Sequence, residues 1–212
     1  MPRVSLSLAT SEVARRDPVM AGLIERVGPP SLRHSRRDES GYFAELAEAI
    51  AYQQLAGAAA AAIWGRFRAL VSGELTPDAV LALPEAAMRG AGLSAAKTAA
   101  IRDLAAKVLD GTVPLADVRR VPDDELIARL SSVRGIGRWT AEMFLIFTLR
   151  RLDVWPVDDL GVRRGYQLAY HLAAMPTPKE LFAAGERFRP YRTVAAWYCW
   201  QAVRLSRGAP LR

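Results

Sequence analysis

The segment that says most about chemistry is a glycine-centred turn at residues 130–141, Leu-Ser-Ser-Val-Arg-Gly-Ile-Gly-Arg-Trp-Thr-Ala. The pattern predicts a helix that ends here, a tight Gly135-Ile136-Gly137 turn, and a second helix that begins at once. The first amides of that second helix would point outward with the positive end of the helix dipole behind them, which suits an anion such as a DNA phosphate. Ile136 would anchor the turn in the core, and Arg138 adds positive charge.

A Gly-x-Gly turn alone is also typical of an ordinary connection between helices. The whole string, with Thr140-Ala141 after the turn, resembles the hairpin of the helix-hairpin-helix DNA glycosylase superfamily, and the resemblance extends over about residues 40–205. It implies that DNA contacts the hairpin at Gly135, Ile136, Gly137, Arg138 and Thr140. It also implies that the backbone carbonyls of Ser131, Val133 and Ile136 hold Na⁺ or K⁺ when DNA is bound. Arg134 departs from the family pattern, which has proline before the first glycine.

In that superfamily a catalytic aspartate follows the hairpin by some twenty residues, at the start of a helix. Here that region reads Val154-Trp155-Pro156-Val157-Asp158-Asp159, and the resemblance assigns catalysis to Asp159, with Asp158 as the second choice. A carboxylate beside a helix N-terminus accepts amide hydrogen bonds and stays anionic. An anion there can stabilise the positive charge that develops on a sugar as its glycosidic bond breaks. The alternative is that both aspartates only cap the helix.

Trp139 stands where strand-cleaving members of the superfamily carry a lysine nucleophile. Tryptophan forms no Schiff base, so we expect a monofunctional enzyme that leaves the abasic site intact. The string Gly-Arg-Trp-Thr-Ala, together with Arg189-Pro190-Tyr191-Arg192-Thr193, resembles the 3-methyladenine glycosylase II branch. That resemblance places Trp139, Met143 and Trp200 in the base pocket, where indole faces attract a positively charged alkylated purine. Core packing is the alternative for both tryptophans.

The run Tyr52-Gln53-Gln54-Leu55-Ala56 resembles a family loop that faces the minor groove. The resemblance implies that Leu55 fills the gap left by a flipped base and that Gln54 reads base edges beside it. Packing of Leu55 between two helices is the alternative. We interpret Gly92-Leu93-Ser94 as structural, with Lys97 available for a phosphate.

The composition agrees with a polyanionic partner, because the formal net charge is +7. One cysteine, Cys199, excludes an intramolecular disulfide and the four-cysteine iron–sulfur cluster of some relatives, so no cofactor is expected besides the hairpin cation. No apolar run reaches the length of a membrane span or signal peptide. These features predict a cytoplasmic, monomeric protein that binds double-stranded DNA and no membrane.

Helical periodicity runs through nearly the whole chain and no strand pattern interrupts it, so the fold class is all-α. Predicted helix starts include Thr76-Pro77, Ser94, Pro122-Asp123 and a capping box at Thr177–Glu180. We expect two helical lobes around a central cleft. Residues 38–150 form the lobe that ends in the hairpin, and residues 1–37 plus 151–212 form the lobe that carries Asp159.

The sequence thus predicts a monofunctional glycosylase of base excision repair that flips alkylated purines, of the 3-methyladenine and 7-methylguanine type, out of duplex DNA. Two alternatives stay open at this point. One is a glycosylase of the same fold for uracil, a mismatched base or an oxidised base. The other is a helix-hairpin-helix DNA-binding module without catalysis.

Overall fold

The computed structural model describes residues 5–32 and 39–208, and within them the chain is helical, with no β-strand. The predicted all-α class is therefore confirmed. The α-helices are α1 Leu6–Arg16, α2 Pro18–Val27, α3 Glu39–Tyr52, α4 Gly57–Arg68, α5 Pro77–Ala82, α6 Glu85–Gly90, α7 Ala95–Leu109, α8 Asp123–Ser131, α9 Arg138–Met143, α10 Leu160–Ala169, α11 Pro178–Gly185 and α12 Arg192–Ser206. A π-helical segment spans Phe144–Thr148 and a 3₁₀ turn spans Glu186–Phe188.

The chain divides into two compact units, which we call the terminal unit (Met1–His34 with Leu145–Arg212) and the central unit (Ser35–Phe144). The first predicted boundary, between residues 37 and 38, lies outside the described residues. The second boundary lies after Phe144, a few residues before the predicted position at 150.

Side-chain caps begin many of the helices, as the sequence predicts. Thr76 accepts the Ala79 amide before α5, and Ser94 accepts the Lys97 amide before α7. Thr177 and Glu180 form the reciprocal capping box of α11. Each cap satisfies a backbone amide that has no partner inside the helix, which sets where the helix starts.

The terminal unit is built around α12, whose residues 193–199 are all buried. Helix α10 packs directly on it at Gly165, where an added Cβ would lie only 1.8 Å from the carbonyl oxygen of Cys199. This close approach needs glycine, and it brings the N-terminus of α10 alongside α12.

In the central unit α3 packs against α7. Apolar side chains on α3, α7 and α8 are fully or nearly fully buried: Phe43, Leu46, Ile50, Ile101, Leu104, Leu126 and Leu130. This core supports the hairpin between α8 and α9.

Helical periodicity also predicts a helix through Phe144 and Thr148, and the structure has a helix there, but α9 ends at Met143 and the chain continues as the π-helical segment. Its wider i→i+5 turn accommodates three consecutive buried side chains at 144–146, after which Phe147 is half-buried. No helix of the described residues is both long enough and apolar enough to cross a membrane.

Candidate active site

Asp159 is the N-cap residue of α10, as predicted, and its position is fixed by the chain that precedes it. Thr193 receives a hydrogen bond from the Val154 amide at 2.9 Å and donates to the Arg151 carbonyl at 2.8 Å. The buried Trp155 indole donates to the Leu181 carbonyl at 2.8 Å. These buried contacts anchor the segment that leads to Asp159 against α11 and α12.

The Asp159 side chain is 9% exposed and makes two well-formed hydrogen bonds through Oδ1. The Val162 amide donates to this oxygen at 2.8 Å, and the Nε1–H of Trp200 donates at 2.9 Å. Asp158, the second choice for the catalytic group, is exposed. The structure thus places one carboxylate in a defined orientation, and the neighbouring carboxylate faces solvent.

Trp200 lies on α12 and links the carboxylate to an aromatic surface. Its ring stacks on Phe147, with centroids 5.7 Å apart and an interplanar angle of 28°. Gly161 allows the approach, because a Cβ there would lie 2.8 Å from Trp200 Cδ1 and 3.0 Å from Asp159 Oδ1. Neither Phe147 nor Gly161 was predicted as a site residue. A glycine two residues after a helix-capping aspartate was the available signal for close packing.

A cavity of about 760 Å³ opens beside this aromatic pair in the terminal unit. Its lining combines aromatic and polar residues, including Phe147, Trp197, Trp200, Gln201 and Arg204. This volume falls within the range of small-molecule sites. Next to Trp200, burial raises the pKa of the Cys199 thiol, so this cysteine is a neutral core residue and no nucleophile.

The hairpin forms where it is predicted. Gly135 has φ +78°, a left-handed conformation that favours glycine, and Gly137 is the N-cap residue of α9. Ile136 is 3% exposed and its amide donates to the Val133 carbonyl at 3.0 Å, so it anchors the turn as expected. Arg138 pairs with the buried Glu142 at 2.9 Å.

Helix α7 supports the hairpin from behind. The amide of Arg134 donates to Asp103 at 2.7 Å, a bond that a proline at this position could not make. Lys107 binds both Asp103, at 3.1 Å, and the Ser132 carbonyl. Although burial alone would raise it, the pKa of Asp103 is lowered by the Arg134 amide and the Lys107 ammonium.

The carbonyls predicted to hold a monovalent cation belong to the last turn of α8 and to the turn itself. Neutral carbonyl oxygens are suitable ligands for a hard cation. The carbonyl of Val133 already accepts the Ile136 amide, and a carbonyl oxygen has a second lone pair available. The residues therefore fit such an ion.

The two base-pocket residues predicted on α9 have different surroundings. Trp139 is 51% exposed, which contradicts the alternative that it packs in a core. Met143 is half-buried, and Thr140 beside them is half-buried as well. These residues belong to the central unit, whereas the contact between Asp159 and Trp200 lies in the terminal unit.

Residues 53–56 form a loop between α3 and α4, and we call it the wedge loop. Leu55 is 40% exposed, so it is not packed between the two helices as the alternative proposes. Gln54 is exposed and has φ +56°, which is unusual for a residue with a side chain. Gln53, for which no role was predicted, donates from its side chain to the Gly135 carbonyl at 2.8 Å.

Lys97 is occupied by the backbone, which corrects its interpretation as a phosphate contact. Its ammonium donates to the carbonyls of Ala51 and Gln53, each at 2.8 Å. Burial lowers the pKa of this lysine. The bonds run to the end of α3 and the start of the wedge loop, so Lys97 belongs to the support of that loop.

Residues 47–190 match the family model described as "HhH-GPD superfamily base excision DNA repair protein". Over 205 residues the chain is 37% identical to DNA-3-methyladenine glycosylase 1 of Schizosaccharomyces pombe, covering 95% of this chain and 90% of that protein.

Solved structures give the same result. The fold is similar to that of the Schizosaccharomyces pombe 3-methyladenine DNA glycosylase in complex with abasic DNA, with a TM-score of 0.74 and 37% identity over 91% of this chain and 95% of that one. It is also similar to DNA-3-methyladenine glycosidase from Bacillus halodurans, with a TM-score of 0.87 and 32% identity over 95% and 92% of the two chains.

Proposed function

This chain belongs to the HhH-GPD superfamily of base excision DNA repair proteins, and from that premise we propose that it is a monofunctional glycosylase for alkylated purines. That it is a DNA glycosylase follows from its 37% identity, over most of both chains, to a relative with that name. The further claims, on the lesion, the single activity and the residues, rest on the geometry of the site.

The observation that carries the proposal is the carboxylate of Asp159 held by the Val162 amide and the Trp200 indole. Base release breaks the bond between the sugar C1′ and the base nitrogen, and the electron pair leaves with the base. Positive charge then develops on the sugar, and a fixed anion stabilises it without having to reorganise. Water adds to C1′ and loses a proton, which the same carboxylate can accept.

The aromatic residues favour a cationic base. A purine alkylated on a ring nitrogen carries a positive charge, so it is attracted to an indole face by about 0.5–2 kcal/mol. The same charge makes it a good leaving group, so one carboxylate suffices and no separate acid is needed. Trp139 and Met143 on α9, together with Trp200 on α12, are the residues we assign to base recognition.

Trp139 also supports the single activity. Strand cleavage through a Schiff base needs an amine nucleophile, and an indole supplies none. The product is therefore an intact abasic strand.

The hairpin and the wedge loop are the proposed DNA contacts. The first backbone amides of α9, which follow the Gly135–Gly137 turn, bind phosphate together with Arg138 and Thr140, and binding should weaken steeply as salt increases. The carbonyls of Ser131, Val133 and Ile136 would hold a monovalent cation that adds positive charge at that phosphate. Leu55 enters the space left by the flipped base, with Gln54 beside it. Monomeric state and cytoplasmic location stay predictions.

Duplexes that each carry one defined lesion test the proposal. We expect alkali-dependent breaks at 7-methylguanine, none at uracil or 8-oxoguanine, and none anywhere without alkali. Asp159→Asn should lose at least about 100-fold in single-turnover rate, since it removes the anion and keeps the shape. Asp158→Asn is the matched control and should keep its rate. Strand breaks without alkali would refute the single activity, and full activity of Asp159→Asn would refute the mechanism.

A further inference from the structure

One face of α7 contacts both elements that are assigned to DNA. Lys97 binds one carbonyl at the end of α3 and one at the start of the wedge loop. One turn further, Ala100 lies against Gly135, where an added Cβ would be 3.3 Å from the alanine methyl. Asp103 then accepts a hydrogen bond from the Arg134 amide, and Lys107 donates one to the Ser132 carbonyl. The spacing of these residues places them on one side of the helix.

Lys97 occupies a position that local helix energetics disfavour. It is the third residue of α7, where the positive end of the helix dipole repels a cation, and burial lowers its pKa further. Hydrogen bonds to another helix offset this unfavourable position. The Lys97 ammonium donates to the carbonyl of Ala51, in the last turn of α3, and to that of Gln53 just beyond it. The last carbonyls of a helix lack partners within it.

The wedge loop has a second tie, which runs directly to the hairpin. Gln53 donates its side-chain amide to the Gly135 carbonyl at 2.8 Å, while its own carbonyl accepts Lys97. The next residue, Gln54, adopts the left-handed conformation with φ +56°. A non-glycine residue keeps such a conformation only where its surroundings enforce it.

We propose that Lys97 and Gln53 are positioning residues that fix the wedge loop to the hairpin across the face of α7, so that Leu55 is held ready to enter the duplex. The proposal rests on the wedge role given to Leu55 above. Neither residue has to touch DNA. The wedge loop and the hairpin turn are joined by hydrogen bonds to backbone carbonyls. The distance between the gap-filling element and the phosphate-binding element therefore stays fixed.

Lys97→Met and Gln53→Met test this, because methionine keeps a linear side chain and removes the donors. Single-turnover excision of 7-methylguanine is measured from duplex and from single-stranded DNA, where there is no stack to fill. We expect each variant to lose about tenfold on duplex, which corresponds to 1.4 kcal/mol, with little change on single strands. Lys97→Arg should recover most of the rate, since guanidinium can also donate to two carbonyls. Lys179→Met, an exposed lysine on α11, controls for the lost charge.

A second readout follows flipping itself. In an Asp159→Asn background, the fluorescence of a 2-aminopurine beside the lesion should increase more slowly when Lys97→Met is added. Equal losses on duplex and single strands, or an equal loss in Lys179→Met, would overturn the positioning role. So would an unchanged duplex rate in Lys97→Met and in Gln53→Met. If the unmodified protein releases no alkylated base, the proposed function has failed, and the flipping signal still tests the positioning role by itself. If Lys97→Met does not fold, Gln53→Met, which keeps the lysine bonds, decides.

Discussion

Gly161→Ala should separate catalysis from folding more cleanly than a change to the carboxylate itself. The new Cβ would lie 2.8 Å from Trp200 Cδ1 and 3.0 Å from Asp159 Oδ1, whereas ordinary contacts begin near 3.4 Å. The indole must therefore move by about 0.6 Å, and Trp200, which is half-exposed beside the cavity, has room to do so. That movement stretches its 2.9 Å hydrogen bond to Asp159 beyond good geometry.

Misplacement of a catalytic group by about 1 Å can reduce a rate by a factor of about 100. We expect Gly161→Ala to excise 7-methylguanine about 10- to 100-fold more slowly in single turnover. Its free energy of unfolding should change by no more than about 1 kcal/mol, because the helix propensity of alanine offsets part of the repacking. For a chain of this size that corresponds to at most about 4 °C in Tm.

Gly22→Ala is the matched control, since it lies in α2 and an added Cβ there meets no atom within 4 Å. It should excise at the unmodified rate. A folded Gly161→Ala protein with the full rate would show that the contact between Trp200 and Asp159 does not matter for chemistry. Equal losses in excision and in affinity for abasic DNA would place the defect in binding instead.

Three further outcomes are expected. Trp200→Phe keeps a ring against Phe147 but removes the hydrogen-bond donor to Asp159. Because a charge-assisted bond is worth about 1.5–3 kcal/mol, single-turnover excision should fall at least about tenfold. A retained rate would argue against a role for that bond. Gly165→Ala puts a Cβ 1.8 Å from the Cys199 carbonyl oxygen, a clash that only a backbone shift can relieve. The free energy of unfolding in urea should therefore fall by about 3 kcal/mol or more. An unchanged midpoint would contradict the packing of α10 on α12. Cys199 is buried, and burial raises the pKa of its thiol. A thiol reagent at pH 8 should therefore label it only as fast as the protein unfolds. Immediate labelling of the folded protein would show that the thiol is accessible.

Much of the fold could be predicted from local sequence, because helix starts depend on residues close together in the chain. Ser94, Thr76 and the pair Thr177–Glu180 cap the helices that they were predicted to cap. The hairpin follows from the same local rules, since Gly135 needs its left-handed conformation and Ile136 its buried position. Asp159 as a helix cap also belongs to this group.

The contacts that organise the site could not be predicted in this way, because they join residues far apart in the chain. The hydrogen bond between Trp200 and Asp159 spans 41 residues, and the bond from Gln53 to Gly135 spans 82. The π-helical segment at Phe144 was missed for a related reason, since periodicity indicates a helix but does not distinguish its turn width.

Three residues in or beside the elements assigned to DNA violate local rules. Trp139 exposes half of a large aromatic side chain, Gln54 adopts a left-handed conformation, and Lys97 places a cation at the wrong end of a helix. Folding alone favours none of these choices, and each has a less costly substitute. A sequence retains such features where function requires them, since local and global preferences otherwise agree. The three therefore support one interpretation: an indole presented to a base, a loop bent toward a duplex, and a lysine that keeps the bend in place.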